Sequence, residues 1–481
     1  MLISKNKNQS IEIAVKTLKD SRWLALIIVL TAPFLSLMDV FIINIAAPAI
    51  KNGLKASDGE LQIVIAGYLL GYASFLITGG RFGDHFGRKK LFLRGMAAFT
   101  LASCWCGVSR SPLELNIARF LQGGSASFMV PQTISYIQLL FTDPQDRAKA
   151  IGTFGLTLGL ASMCGQFLGG LFTYYHFFIA GWRLIFFINV PIGIISITSA
   201  GLLLKETPRH PATKFDVSGA ILLTLALFAL IIPIIQGREL GWPLWCKTGL
   251  VLSLILFVWF VSDQKYKLET SRIPLVNIKL FKIKDLNIGL LCVLCCYMVY
   301  NSYLLISTLV LQNGYHFNSL LTGCMFVMFG IGFSVSSFFS MRLVTRIGKA
   351  ILQIGTTGMI VSLSTQVWLF SGSTIQPQTV FALIFLYGLS AGCVMPPLLN
   401  ITLRSVPHHF AGAASGLYAT VQQAAGALGV SIVGGLFFSH SSNYRLAFRY
   451  SAGAELLMLL IILILLRFVP SGKFEGGHIS E

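Results

Sequence analysis

Long apolar runs, each followed by a short polar break, recur along the whole chain. A hydrocarbon core about 30 Å thick needs about 20 helical residues to cross it. On that measure the pattern predicts fourteen spanning helices, near 22–49, 60–80, 90–109, 113–140, 148–173, 182–204, 216–236, 244–262, 286–311, 320–341, 350–371, 379–403, 411–438 and 446–468. Charge marks most of the breaks, but two rest on turn chemistry alone. Residues 286–341 contain no Asp, Glu, Lys or Arg and are interrupted by NGYHFN; residues 350–403 are likewise uncharged and interrupted by SGSTIQPQ. The first run is longer than a signal-peptide core and no small-residue cleavage site follows it, which predicts a retained helix.

Composition points the same way. Of 481 residues, 55% are hydrophobic and 11% charged, where a soluble protein carries about 25%. The expected class is an all-α integral membrane protein. A net charge of +18 would suit a nucleic-acid binder, but the positions of the cations decide against that partner. With the N-terminus inside, inner segments hold 27 Lys and Arg, and outer segments hold 8 (Lys51, Lys55, Arg110, Arg183, Arg238, Lys247, Arg445 and Arg449), with Arg119 inside a helix. This is the positive-inside skew; the basicity reports topology. The nine cysteines read as free thiols. Cys292, Cys295 and Cys296 are clustered, but no His or acid follows at ligand spacing, so no metal is expected. No phosphate-binding glycine loop of the ATPase type and no catalytic triad occurs, which argues against an enzyme and against a cofactor. The longest inner loop, about 263–285, is too short to be the soluble domain of a sensor or scaffold.

A shift of 265 residues lays FLQGGSASFMVP (120–131) on FLYGLSAGCVMP (385–396), and GGLF at 169–172 on GGLF at 434–437. One offset serves helix 4 on helix 12 and helix 5 on helix 13. Helices 1–6 therefore repeat as helices 9–14, which divides the chain into a bundle over 1–205, an inserted pair with a basic linker over 206–284, and a second bundle over 285–481. Repeated halves are what secondary transporters use to alternate access around a midplane site.

At this point the motifs carry a resemblance. GGRFGDHFGRKK (79–90) resembles the signature loop of the major facilitator superfamily, falling on Gly80, Asp84, Gly87, Arg88 and Lys89, with His85 where a basic residue is usual. ARFLQGGSASFMVP (118–131) resembles the superfamily's helix-4 motif, with Arg119 as its buried arginine. MDVFIINIAAP (38–48), GWRLIFFINVPIG (181–193) and PLVNIKLFK (274–282) are similar to motifs of its fourteen-helix drug:proton antiporters of the EmrB/QacA type. Two positions depart from that pattern. Gln166 replaces the proline of the helix-5 antiporter motif, which weakens the inference to antiport, and Phe41 stands where threonine is common.

The resemblance implies a proton-coupled exporter of amphipathic small molecules in a bacterial cytoplasmic membrane. A narrow carrier for one metabolite or siderophore is the alternative. Small-molecule substrate, protons and lipid are the implied partners, and a periplasmic adaptor with an outer-membrane channel is compatible with the type. Asp39 is the one acid between Trp23 and Ile50, at a depth where an ionised carboxyl costs about 2.5–3.5 kcal/mol on insertion scales. At 1.5 Å per residue its depth differs from that of Arg119 by about 6 Å; with helices 1 and 4 neighbours, as the resemblance implies, the two can pair, either to couple transport to protons or as a static ion pair that fixes helix packing. The family places the 79–90 loop as a cytoplasmic latch between the halves. Gly152, Gly155, Gly159, Gly169 and Gly170 share an arc of helix 5, and with Gly165 they form a small-residue face that lets the halves approach and rock. Asn44, Gln122, Tyr300, Asn301 and Asn400 are expected to face the substrate cavity. Glu455 reads as an interfacial carboxylate near the outer end of helix 14, and His408 and His409 as solvated.

An even number of spans places both termini on one side. Reporter fusions after Ser4 and after Ser471 should both read cytoplasmic; opposite readings would mean that a span has been miscounted.

Overall fold

The computed structural model describes residues 2–175, 179–207, 216–270, 272–372, 375–407 and 410–469, and side chains from Arg22 onward. His408 and His409 lie outside them. The described residues form fourteen long helices and no strand: α1 (Leu2–Leu54), α2 (Asp58–Phe86), α3 (Arg88–Val108), α4 (Pro112–Leu140), α5 (Pro144–Tyr174), α6 (Gly181–Leu203), α7 (Val217–Glu239), α8 (Leu244–Glu269), α9 (Lys284–Gly314), α10 (Ser319–Ile347), α11 (Ala350–Leu369), α12 (Pro377–Leu403), α13 (Ala411–Phe438) and α14 (Tyr444–Arg467). Thirteen are long and apolar enough to cross a membrane, α1 through its Arg22–Leu54 portion. The fourteenth, α4, is diluted by Glu114, Asn116, Arg119, Gln122 and Gln132, which are mostly buried inside the protein.

Three helices are interrupted where the sequence pattern predicts continuity. In α6 the break falls at Ile188 between Gly181–Phe187 and Asn189–Leu203. Pro191 has no N–H to return to the carbonyl four residues back, so the turn opens there. In α12 Pro396 and Pro397 do the same, separating Pro377–Gly392 from Met395–Leu403. The last turn of α9, Val310–Gly314, widens to a π-helix.

Packing repeats under a shift of eight helices. In the first bundle α2 packs on α4, α1 on α5, α3 on α4, and α6 on α1 and α3. In the second, α10 packs on α12, α9 on α13, α11 on α12, and α14 on α9 and α11. The bundles meet through α5 on α10 and α2 on α13, themselves repeat-related. The inserted α7 and α8 pack on each other, and α7 on α2 and α13. Leu252, Ile255, Val258 and Trp259 of α8 are exposed and face the hydrocarbon.

Glycine sets the closest approaches. A methyl at Gly123 of α4 would stand 1.9 Å from the Tyr68 carbonyl oxygen, and one at Gly71 of α2 would stand 2.1 Å from that of Phe120. The two bundles pack most closely toward one end. A Cβ at Gly170 would meet the Ser319 carbonyl at 2.5 Å, and one at Gly159 the Ser334 hydroxyl at 2.7 Å, whereas Gly155 and Gly152 have nothing within 4 Å. Between α2 and α13, Gln62 donates to the Val430 carbonyl at 2.7 Å, while Gly412 faces open space. The end that parts carries the basic loops.

At that end the α8–α9 linker is tied down by Asp216. Its carboxylate caps α7 through the Gly219 N–H (2.7 Å) and accepts from Lys267 (2.6 Å), Gln264 (2.7 Å) and the Leu275 N–H (2.8 Å). Burial pushes this carboxyl up, but those donors outweigh it and hold it below the ordinary aspartate value. Arg81 of α2 donates to the Pro274 carbonyl at 3.0 Å, which fixes the PLVNIKLFK segment beneath the first bundle.

Gly123→Ala should overpack the α2–α4 seam, at a cost of about 1–3 kcal/mol or more, and reduce the monodisperse yield on size exclusion. Gly155→Ala, at an open position, should stay within about 0.5 kcal/mol of the parent.

Candidate functional site

Four helices of the first bundle converge on Asp39. The side chain is fully buried, and Arg119 from α4 is 1% exposed. The guanidinium Nη1 donates to Asp39 Oδ2 and, at 2.7 Å, to Gln122 Oε1, while its Nε donates to the Val64 carbonyl at 3.1 Å. Asp39 Oδ1 accepts from Gln122 Nε2 and from Asn189 Nδ2, each at 2.9 Å. Ser103 of α3 accepts from both amides and donates to the Phe186 carbonyl at 2.9 Å. The guanidinium also lies 4.5 Å from the centroid of Tyr68, whose hydroxyl is 2.8 Å from Ser36 Oγ. A buried ion pair survives only when its remaining donors and acceptors are met in this way. The break in α6 matters here, because it sets Asn189 at the start of a new helix.

Gln122 was expected to face the cavity; it belongs instead to this network, with no exposure. Asn189 and Ser103 were not singled out from sequence. Asn189 had a signal, being a lone amide in the apolar LIFFINVPIG, the same kind of signal that marked Asp39. Ser103 had none, since a serine inside a helix commonly bonds its own backbone.

In the 79–90 loop, Gly87 has φ 97°, a conformation that requires glycine, and it turns the chain between α2 and α3. Arg88 donates to Asp84 Oδ1 at 2.9 and 3.2 Å and to the Ser135 carbonyl of α4 at 3.3 Å. Lys89 reaches the Gly201 carbonyl at 2.8 Å and Gly80 faces open space. These bonds stay within the first bundle.

Between the bundles, near the closed end, Phe41, Asn44, Ile45, Gln166, Leu304, Thr308 and Phe326 line a space too narrow to admit water. Both amide atoms of Gln166 and the Asn44 oxygen are buried there without a hydrogen-bond partner. The Tyr300 ring packs on Phe41 at 6.1 Å, and Asn301 Nδ2 bonds the Tyr297 carbonyl. Asn400 lies apart from them, its amide 3.8 Å from Met341 Sδ. The glycine face of α5 divides. Gly159 and Gly170 meet α10, Gly165 and Gly169 instead seat on the Met38 and Ile42 carbonyls of α1, and Gly155 meets neither helix. The expected single rocking face is thus two faces, one turned inward to its own bundle.

The sequence model of the Major Facilitator Superfamily matches residues 29–430 and 289–477. The chain belongs to that superfamily. It is 34% identical over 426 residues to a probable actinorhodin transporter of Streptomyces coelicolor, covering 87% of this chain and 72% of that one. It is 30% identical to a puromycin resistance protein of Streptomyces alboniger, covering 86% and 81%. Among solved structures, a bacterial homologue of the lysosomal transporter Spinster superposes with a TM-score of 0.67 at 14% identity, covering 93% and 96%. A D-xylose–proton symporter gives 0.65 at 13% identity, covering 93% and 98%. The major facilitator fold, two six-helix bundles with two inserted helices, is therefore the architecture of this multi-pass membrane protein.

Within that fold Glu455 is not interfacial. It sits about 16 Å along α14 at 1.5 Å per residue, is 1% exposed, and accepts from Ser302 Oγ of α9 at 2.7 Å.

Asp39→Asn should leave this transporter folded, because the amide keeps the shape, yet reduce transport driven by a pH gradient to background. Arg119→Leu alone leaves a buried carboxylate unpaired, which costs about 3–5 kcal/mol. Adding Asp39→Asn should recover most of the lost thermal stability but not the drive; recovered drive would place coupling elsewhere.

Proposed function

We propose that this superfamily member exports amphipathic small molecules in exchange for protons, by alternating access, from a bacterial cytoplasmic membrane with both termini on the cytoplasmic side. The Asp39–Arg119 pair carries the reading. It is an intramembrane acid whose charge is met by one guanidinium and two amides, all on helices of the first bundle. Protonating Asp39 cancels the charge that holds Arg119, and the guanidinium keeps the Val64 carbonyl, the Gln122 amide and the Tyr68 and Phe186 rings. That change alters how α1 sits against α4 and α6, and α1 is the helix whose other face carries Phe41 and Asn44 toward the second bundle. The relatives named for antibiotic transport and resistance support export as the direction and amphipathic antibiotics as the cargo class.

In this reading 1–205 and 285–481 are the bodies that move, and 206–284 rides with the first. Asn44, Tyr300 and Asn301 contact substrate; Asn400, which lies apart from them, does not share that site. Gly80, Asp84, Gly87, Arg88 and Lys89 form the latch, which engages the second bundle only when the basic end closes. Gln166 and Asn44 favour the reverse motion, because buried amide groups without partners are destabilising by about 1–3 kcal/mol each and regain partners when the other end opens. Hand-over to a periplasmic adaptor and an outer-membrane channel is compatible with this step but is not needed for it.

Proteoliposomes with an imposed pH gradient and a panel of a fluorescent anthraquinone antibiotic, a nucleoside antibiotic and a lipophilic cation test the proposal. At least one should accumulate against its gradient, and collapsing the pH gradient should abolish this. Accumulation that survives collapse would refute proton coupling. Asp84→Asn should slow transport several-fold while leaving the affinity in detergent unchanged.

A further inference from the structure

The second bundle holds one acid in its membrane interior and no cation. Along α9–α14, Lys, Arg and Asp occur only toward the helix ends, at Lys284, Asp285, Arg342, Arg346, Arg445, Arg449 and Arg467; Glu455 alone lies at mid-depth. Ser302 of α9 donates to it at 2.7 Å, and the next residue on α9, Tyr303, joins Gln366 of α11 and Tyr387 of α12. Tyr303 Oη is 3.1 Å from Gln366 Oε1, the Tyr303 and Tyr387 rings stack at 3.9 Å, and the Tyr387 hydroxyl is buried without a hydrogen-bond partner. From α13 no charged side chain faces Glu455, because that helix has none; its one titratable group is Tyr418. His440, past the end of α13, packs its ring on Tyr450, more than one turn toward the start of α14.

These helices are the repeat partners of those that build the Asp39 network: α9 of α1, α11 of α3, α12 of α4 and α14 of α6. The 265-residue shift carries Gln122 onto Tyr387 and Asn189 to within one residue of Glu455. The same polar position therefore exists in both bundles, with the acid moved from the first helix to the last and the arginine missing. Asp39 is paired with Arg119. An ionised Glu455 would be an unpaired charge in a dry interior, which is far costlier than a neutral carboxyl hydrogen-bonded to a hydroxyl.

We propose that Glu455 is a second proton-binding site of the transporter, loaded in the conformation described here and emptied as the cycle proceeds. The route to emptying runs through α9. At 100° per residue Ser302 lies opposite Tyr300 and Leu304, and these two face Phe41 and the closed space between the bundles. A movement of α9 against α1, which opening the closed end requires, loosens the packing around Glu455 and admits water, and hydration of the carboxylate beside the Ser302 donor favours its charged form. The proton leaves to water and the carboxylate waits for the next one.

This site rests on the proton-coupled reading above, and two measurements separate them. Infrared difference spectra of purified protein should show the carbonyl stretch of a protonated carboxyl at neutral pH. That band should be present in the parent and in Asp39→Asn, absent in Glu455→Gln, and lost from the parent on alkaline titration. A band unchanged by Glu455→Gln, or one that never titrates, would reduce Glu455 to a fixed hydrogen-bond acceptor and overturn the proposal. In proteoliposomes with the membrane potential clamped at zero, uptake of the anthraquinone antibiotic by Glu455→Gln should reach a limiting ratio about tenfold lower per pH unit, the worth of one proton; an unchanged ratio would overturn the site's part in coupling. Parent protein with no pH-driven uptake would instead refute the transport reading, and the spectra would still decide whether Glu455 binds and releases a proton. If Glu455→Gln does not fold, Ser302→Ala serves. It should shift the band and its titration midpoint, and no shift would count against the proposal.

Discussion

A carboxylate and a guanidinium closed off from water inside the first bundle impose the main constraint on this molecule. Neither charge is tolerable there alone, so Asp39 and Arg119 dictate much of what surrounds them. Gln122 must sit one turn along α4, Ser103 must present its hydroxyl from α3, and α6 must break at Ile188 so that Asn189 can reach Oδ1. Tyr68 must lay its ring against the guanidinium. The polar groups are thus bought with backbone irregularity at Pro191 and close glycine contacts between α2 and α4, features that a purely apolar bundle would not need.

The second constraint is the asymmetry between the two ends. Repeat-related seams, α5 on α10 and α2 on α13, are tight where Gly170 meets Ser319 and Gln62 meets Val430, and open where Gly155 and Gly412 face empty space. Closing one end therefore strips partners from Gln166 and Asn44, while the opposite end stays held by the Asp216–Lys267 knot and the bonds of Arg88 and Lys89 within their own bundle. Apolar contact favours the closed seam and unpaired amides oppose it. Such opposed terms of a few kcal/mol are what let a membrane protein hold two arrangements of nearly equal stability.

The repeated bundles share geometry but not charge. The first pairs its acid with an arginine, and the second holds an acid with no cation at its depth. One fold duplicated can in this way place two carboxyls in different polar surroundings at matching depths, because the helices repeat while the side chains around them diverge.

Much of the architecture was legible in the chain itself. Run lengths specified fourteen helices and the 265-residue offset their pairing; each depends on local composition or on self-similarity, which a linear sequence records. Asp39, Arg119 and the 79–90 loop stood out because charge or glycine is conspicuous in an apolar background. Only the tertiary structure decided that Gln122 faces Asp39 rather than the cavity, that Gly165 and Gly169 seat on α1, and that Glu455 is an interior group. Hydropathy cannot separate a helix face turned to lipid from one turned to protein, since both are apolar. Which face turns inward is settled by close packing among helices hundreds of residues apart.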